Sequence, residues 1–215
     1  MKPQAKIAIR WNKDFAYAIG LITTDGCLSS DGRHIDFTSQ DIQLVETFRK
    51  CLGINNKIGF KASGTSPRKC PHVQFGDSLF HRWLIDIGIT PRKSKTIGEL
   101  KIPDKYFYDF IRGHFDGDGC CYSYWDKRWV NSFMFYMTLV SASEGHINWL
   151  RKKIRQMAGI NGHITRAGKN QIFQLKYAKR ESKILAKKIY YKNGLPCLKR
   201  KYIKIMSAIK TDLSS

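Results

Sequence analysis

The feature that most constrains this chain is an internal repeat. Phe15-Ala16-Tyr17-Ala18-Ile19-Gly20-Leu21-Ile22-Thr23-Thr24-Asp25-Gly26 returns in outline as Asp109-Phe110-Ile111-Arg112-Gly113-His114-Phe115-Asp116-Gly117-Asp118-Gly119. Gly20 and Gly113, and then Asp25-Gly26 and Asp118-Gly119, stand at one constant offset. Self-similarity on this scale means two copies of one supersecondary unit. Each copy reads as a helix with a small residue on one face and a glycine just past its end as a C′ stop.

The segments that follow are parallel too. Residues 34–39 and 134–140 alternate like strands, and helical spacing then runs through Leu44, Val45, Phe48 and Leu52 in one half and Ile147, Leu150, Ile154 and Met157 in the other. Both of these helices end on Gly-Ile-Asn, at Gly53-Ile54-Asn55 and Gly159-Ile160-Asn161. Two more strands follow in each half, over 57–62 with 72–75 and over 163–166 with 171–177. A further helix closes each half, over 80–87 and 182–190, with Gly88 and Pro91 or Gly194 and Pro196 as stop signals. The expected fold is therefore α+β, a duplicated αββαββα unit. Its expected boundaries are 1–98 for the first half, 99–106 for a linker and 107–215 for the second half.

Charge narrows the partner. The 215 residues hold 38 Lys+Arg against 17 Asp+Glu, a formal net charge of +21. That much self-repulsion is best tolerated where phosphates neutralise it, which points to nucleic acid before an anionic membrane surface. The longest apolar stretch, 15–22, is far short of the ~20 residues that cross a bilayer, and no signal peptide is legible. Six cysteines (Cys27, Cys51, Cys70, Cys120, Cys121, Cys197) include no C-x-x-C pair. Free thiols in an intracellular, reducing compartment are expected, and no zinc finger.

The repeated acid carries the chemistry. A carboxylate at a helix C-terminus faces the negative end of the macrodipole, at a cost of roughly 0.3–1 kcal/mol, and here it does so twice. If Gly20 and Gly113 let the two helices pack side by side, Asp25 and Asp118 emerge together and repel unless a cation lies between them. Carboxylate, water and phosphate oxygens suit Mg²⁺, and a metal so held serves phosphodiester hydrolysis.

The two segments resemble the signature helices of the LAGLIDADG homing endonucleases, with Ala18 to Gly26 and Ile111 to Gly119 over the motif positions. The resemblance extends through the strand-and-helix order after each motif to Pro196-Cys197-Leu198-Lys199-Arg200-Lys201-Tyr202, similar to the family's closing basic segment. It implies a monomeric, two-motif protein with two antiparallel four-stranded saddle sheets and the signature helices packed on a pseudo-twofold axis. By the same resemblance Asp25 and Asp118 are the metal-binding acids, and the main-chain carbonyls of Thr24 and Gly117 are further ligands. Lys95 and Lys201 are the lysines near the scissile phosphates. Mg²⁺ is the expected metal, with Mn²⁺ able to replace it and Ca²⁺ supporting binding without cleavage. The motif departs from the family at Thr23, where the second copy has Asp116, and at His114; helix packing is the expected role of each.

The implied substrate is double-stranded DNA, cut with short 3′ overhangs at a long, nearly asymmetric target, and the protein is expected to be intron-encoded. Arg33, Asp36, Thr38, Gln74, Arg166, Gln174 and Lys176 are expected on the open sheet faces, toward base edges or phosphates. Lys61, Arg68, Lys69, Lys127, Arg128, Lys169, Lys179 and Arg180 lie in or beside turns and would hold the backbone. Trp125 and Trp129 fit a sugar-phosphate contact and a cross-strand aromatic pair equally well. The alternative is a binding protein of the same fold, either a maturase for intron RNA or a DNA-binding regulator. The retained acid pair separates the two readings. Asp31-Gly32 shows what a plain Asp-Gly turn looks like, without the apolar and small-residue run upstream.

Overall fold

The computed structural model describes residues 6–63, 66–129, 132–168 and 172–213. Each half is a helix, two strands, a helix, two strands and a helix. The first half comprises α1 (Lys13–Asp25), β1 (Gly26–Leu28), β2 (His34–Thr38), α2 (Ile42–Leu52), β3 (Gly59–Ser63), β4 (Ser66–Gly76) and α3 (Ser78–Asp86). The second comprises α4 (Phe107–Asp118), β5 (Cys120–Trp125), β6 (Phe133–Ser141), α5 (Glu144–Ala158), β7 (His163–Ala167), β8 (Ile172–Tyr177) and α6 (Lys179–Ile189). The fold class is the expected α+β arrangement, with two antiparallel four-stranded sheets ordered β1-β2-β4-β3 and β5-β6-β8-β7. One helix lies outside the repeat: α7 (Lys199–Leu213) grows out of the closing basic segment.

Strand alternation puts Ile35, Phe37, Val73 and Phe75 of one sheet, and Phe135, Met137, Leu139, Leu175 and Tyr177 of the other, against the helices. One apolar core then runs through both halves, with a smaller cluster of Phe133, Phe135 and Ala208 beside it. The Gly-Ile-Asn echo has a shared cause. Gly53 and Gly159 both take a left-handed φ of 66° to end α2 and α5, and the next residues, Ile54 and Ile160, turn into the core.

The glycines after the signature helices behave differently from a C′ stop. Gly26 (φ −80°) and Gly119 (φ −74°) are extended, so handedness does not require glycine there. Close approach does. A Cβ would stand 2.6 Å from the Ile22 carbonyl oxygen at Gly26, and 2.6 Å from the Phe115 carbonyl oxygen at Gly119. Their absence lets β1 and β5 leave the helix end with no intervening loop, which fixes each acid where its helix becomes a strand.

The connector over 99–106 is a packed segment. Leu100 and Ile102 are buried, and a short 3-10 turn, Asp104–Tyr106, leads into α4. Just upstream, Ser143 donates to the Ile97 carbonyl at 2.5 Å and the His146 ring lies 2.8 Å from the Gly98 carbonyl oxygen. No helix among the described residues is long and apolar enough to cross a membrane.

Candidate metal centre and nucleic-acid interface

The centre is built on the crossing of α1 and α4. Asn12 accepts from the Phe15 amide at 2.8 Å to start α1, and the helix is then buried from Phe15 to Thr23. Around the crossing the backbones nearly touch. A Cβ on Gly20 would lie 2.7 Å from the His114 nitrogen, and one on Gly113 would lie 3.2 Å from the Gly20 Cα. Only glycine permits this approach, and it carries down to the helix ends, where a Cβ on Gly117 would stand 2.8 Å from Oδ2 of Asp25.

The carboxylate of one half therefore lies against the last turn of the other. Burial pushes Asp25 up to about 7; the charge of Asp118 adds to the shift, while the Thr24 hydroxyl, Lys201 and Lys93 oppose it. The Thr24 Oγ1 sits 3.3 Å from Asp25 Oδ2. Asp118 is open to the groove, yet desolvation by the surrounding protein raises it as well, against the pull of Lys201 and Lys93.

Two lysines close the helix ends. Lys201 Nζ donates to the carbonyls of Phe115 (2.8 Å), Asp116 (2.7 Å), Gly117 (3.0 Å) and Gly119 (2.6 Å), satisfying the C-terminal turn of α4. In the first half the same place at the end of α1 is taken by Lys93, whose ammonium donates to the Gly26 carbonyl. Both lysines are buried and burial lowers both, with nearby acids acting the other way. Lys95, chosen from the sequence, is exposed at the far end of the same short turn. Arg92, at the start of this turn, has a left-handed backbone (φ 56°), and the residue immediately after it is the buried Lys93.

The sixth motif position divides as its packing requires. Thr23 bonds within its own helix, to the Ile19 carbonyl at 2.8 Å. Asp116, 1% exposed, crosses to the other helix: its Oδ2 accepts from the Tyr17 hydroxyl at 2.8 Å and the Leu198 amide at 2.7 Å. Burial pushes Asp116 up to about 6, against the Leu198 amide, the Tyr17 hydroxyl and the nearby cations. Arg112, fully buried, donates to Pro196 and Ile189 carbonyls and to Asp109. His114 is also a packing residue, stacked on His146 with ring centroids 5.3 Å apart, and burial holds it well below the usual histidine range.

The donor set fits a hard divalent cation. Asp25 and Asp118 supply carboxylate oxygens at the ends of the paired helices, burial raises both carboxyls and the charge of Asp118 raises Asp25 further, and Gly117 and Thr24 bring main-chain oxygens to the same helix ends. No cluster of three or more His, Cys, Asp or Glu side chains suited to a metal occurs among the described residues. A metal here would therefore complete its shell with water and phosphate oxygens, the mode of Mg²⁺ rather than of zinc.

The open faces of the sheets sort the remaining candidates. Asp36 pairs across the strands with Gln74 and Cys27, and Thr38 with His72, all on the face away from the helices. Asp36 is tied down there by Lys61 (2.7 Å), Thr38 (2.7 Å) and His72 (3.0 Å); these bonds hold its carboxyl below the usual range although burial pushes the other way. In the second sheet Lys176 pairs with Thr138 and His163, and Gln174 with Val140 and Thr165, again on the open face. Arg33 is exposed beside these strands, Lys69 is exposed within β4, where it pairs with Ala62 rather than lying in a turn, and Lys127 and Arg128 are exposed at the tip of the β5–β6 hairpin, where Arg128 forms a forked pair with Asp126.

Two placements differ from expectation. Arg166 sits one register position off the open face: it pairs across the strands with Phe173, stacks on that ring at 5.2 Å and bonds Glu144 at 3.1 Å. Lys179 is in the first turn of α6 and is held by Asp212 of α7 at 2.8 Å, while Arg180 beside it is exposed. The Arg68 side chain and Lys169 lie outside the described residues. The open face also carries a group unassigned by sequence reasoning: Tyr122 and Tyr124 on β5 stack in parallel with Tyr136 on β6, at centroid distances of 5.1 and 6.4 Å. Their shared parity on paired strands was the available signal. Trp125 packs on Phe133 at 5.1 Å, the cross-strand alternative, whereas Trp129 is exposed.

This architecture, two saddle-forming sheets hung from a glycine-mediated helix pair, is the fold of the LAGLIDADG endonucleases. The LAGLIDADG meganuclease I-AabMI, bound to uncleaved DNA, shares it with a TM-score of 0.63 and 13% identity, over 95% of this chain and 91% of that one. I-LtrWI, a LAGLIDADG homing endonuclease bound to target DNA, gives 0.61 and 10% over 95% and 92%. Full-length DUF199/WhiA from Thermatoga maritima gives 0.57 and 15%, over 93% of this chain but only 62% of that protein's length. At these identities the likeness is one of fold. No family model and no curated protein matches the sequence.

Proposed function

We propose that this protein is a site-specific double-stranded DNA endonuclease, encoded within an intron and acting as a monomer, that makes staggered cuts with 3′ overhangs. The observation that carries the reading is the meeting of Asp25 and Asp118 at the end of one helix pair, between two sheets whose open faces bear donors for DNA.

Asp25 and Asp118, with the Thr24 and Gly117 carbonyls, would hold Mg²⁺, or Mn²⁺ in its place, and Ca²⁺ would support binding without cutting. Such a cation, when bound, polarises a phosphodiester and lowers the pKa of a water beside it. The chain's own residues do the rest. The buried ammonium groups of Lys93 and Lys201 fix the helix ends and lend positive charge where a phosphorane gathers negative charge. Gln74, Lys61, Gln174 and Lys176 reach toward the major groove, and the exposed cations beside them meet the backbone.

A non-cleaving nucleic-acid-binding protein, or a maturase for intron RNA, is the second reading; the fold likeness to WhiA, a protein not named as an endonuclease, favours it. The deciding experiment is selection from a randomised duplex library, first with Mg²⁺ and then with Ca²⁺. Defined ends recovered in Mg²⁺ and intact bound duplex in Ca²⁺ support the nuclease. Bound nucleic acid without ends under either ion supports the second reading.

A further inference from the structure

Each buried lysine of the centre is preceded by an arginine, in Arg92-Lys93 and Arg200-Lys201. Because each lysine turns inward onto the end of a signature helix, the arginine before it is left at the surface, and Arg200 there shares a cavity with Asp25. The two halves reach this by different backbones. Arg92 is the one non-glycine residue with positive φ among the described residues, whereas Arg200 lies in the first turn of α7. A strained, non-glycine left-handed residue persists only where its surroundings impose it.

The partners of the two arginines differ. Arg200 is forked onto Asp41 of the other half: Nε is 3.1 Å from each carboxylate oxygen and Nη2 is 2.6 Å from Oδ2. Asp41 precedes α2 but makes no side-chain cap bond to it, so its carboxylate is committed to Arg200 rather than to the helix. Gln43, on the first turn of α2, holds the same segment, accepting from the Lys199 amide at 3.3 Å and donating to the Cys197 carbonyl at 3.4 Å. Arg92 has no hydrogen bond or ion pair among the described residues.

Position makes this pairing more than an interface contact. Arg200 lines two cavities on either side of Gly117: one of about 320 Å³ shared with Asp25, Asp41 and Asp116, the other of about 410 Å³ shared with Lys201 and Lys204. A guanidinium held in a fork by a carboxylate is already in the geometry that a phosphate accepts. An exposed ion pair contributes little, and both side chains here are partly open to solvent, so a backbone phosphate can replace the carboxylate at small cost.

We infer that Arg200 is a phosphate-binding residue of the cutting site, stored on Asp41 in the free protein and passed to the DNA backbone when duplex fills the groove. Arg92, exposed immediately before Lys93, has no such partner among the described residues. The inference rests on the duplex-cutting reading and adds a consequence to it. The two halves then engage their strands unequally, and the two strands are nicked at different rates.

The test uses a duplex recovered by the selection above, with binding measured in Ca²⁺ across a series of salt concentrations. Arg200→Gln is expected to flatten the slope of log K against log salt by about 0.9, the loss of one phosphate contact. Asp41→Asn is expected to raise affinity about two- to fivefold while Arg200 is present, and far less in the Arg200→Gln background. Asparagine keeps the start of α2, and Arg200→Lys, which retains charge without the fork, should keep the slope and lose part of the affinity. In Mg²⁺, Asp41→Asn should shrink the difference between the two nicking rates. An unchanged slope in Arg200→Gln, with tight duplex binding retained, overturns the inference alone. Equal gains from Asp41→Asn in both backgrounds do so too. Failure of the unaltered protein to bind any duplex overturns it together with the nuclease reading.

Discussion

Asp25 and Gly117, which belong to different halves, meet at close range: a Cβ on Gly117 would stand 2.8 Å from the Asp25 carboxylate and nearer still to the Thr24 hydroxyl beside it. A methyl group there must displace the Thr24 side chain and with it the Asp25 carboxylate, or else the helix. Gly117→Ala is therefore expected to cost about 1–3 kcal/mol of stability. It should also remove cleavage more completely than it removes DNA binding. Thermal melting and a plasmid-cutting assay on the same preparation check this; a variant that melts and cuts normally would show the contact to be slack.

The acid pair sets a pH dependence. With its pKa raised to about 7 in the folded protein against the ordinary ~3.9 of an unfolded aspartate, Asp25 holds its proton more tightly when folded. Folding then takes up a proton between those values, so the contribution of this group to stability falls as pH rises from about 4 to about 7. Asp25→Asn should stabilise the protein in the presence of a chelator at pH 8, on the order of 2 kcal/mol, and leave stability at pH 4 nearly unchanged. Added Mg²⁺ should raise the melting temperature of the unaltered protein and not that of the variant. Denaturant unfolding at the two pH values, with and without Mg²⁺, measures both effects.

Lys93 and Lys95 are two residues apart and should behave very differently. Lys93→Met leaves the Gly26 carbonyl without its ammonium and the acid pair without one of its two neighbouring lysines, so it is expected to lower cutting by about two orders of magnitude or more. Lys95→Met, at an exposed position, should cost far less. Single-turnover cleavage of one duplex by the two variants separates them, and equal losses would move the role back to Lys95.

The sheets offer a matched pair as well. Lys176→Ala, on the open face, should weaken duplex binding and reduce the salt slope by about 0.9. Arg166→Ala should leave the slope alone and act through the lost ring contact and Glu144 pair, as a change of less than about 1 kcal/mol in stability. Binding titrations at several salt concentrations distinguish the two.

What could be read from the chain follows from which signals are local. The repeat, the Gly-Ile-Asn helix ends and the strand alternation are each written in a few adjacent residues, so the order of elements and the α+β class were legible. So was the convergence of Asp25 and Asp118, because Gly20 and Gly113 recur with them. That Lys93 rather than Lys95 is the buried lysine was not, since it depends on a local turn in which Arg92 is left-handed, which no propensity of arginine announces. Arg166 was misplaced for a related reason: a strand's face is decided by register, and one position reverses it. The Asp116 bond to Tyr17 and the Arg200 fork onto Asp41 join residues far apart in sequence and become visible only once the halves are docked.

The most direct test compares cleavage of a selected duplex in Mg²⁺ by the unaltered protein, Asp25→Asn and Asp118→Asn, with binding of the same duplex by all three in Ca²⁺. The account predicts that Asp118→Asn abolishes double-strand cutting and that binding by both variants stays within a few fold of the unaltered protein. Undiminished cutting by Asp118→Asn would contradict it.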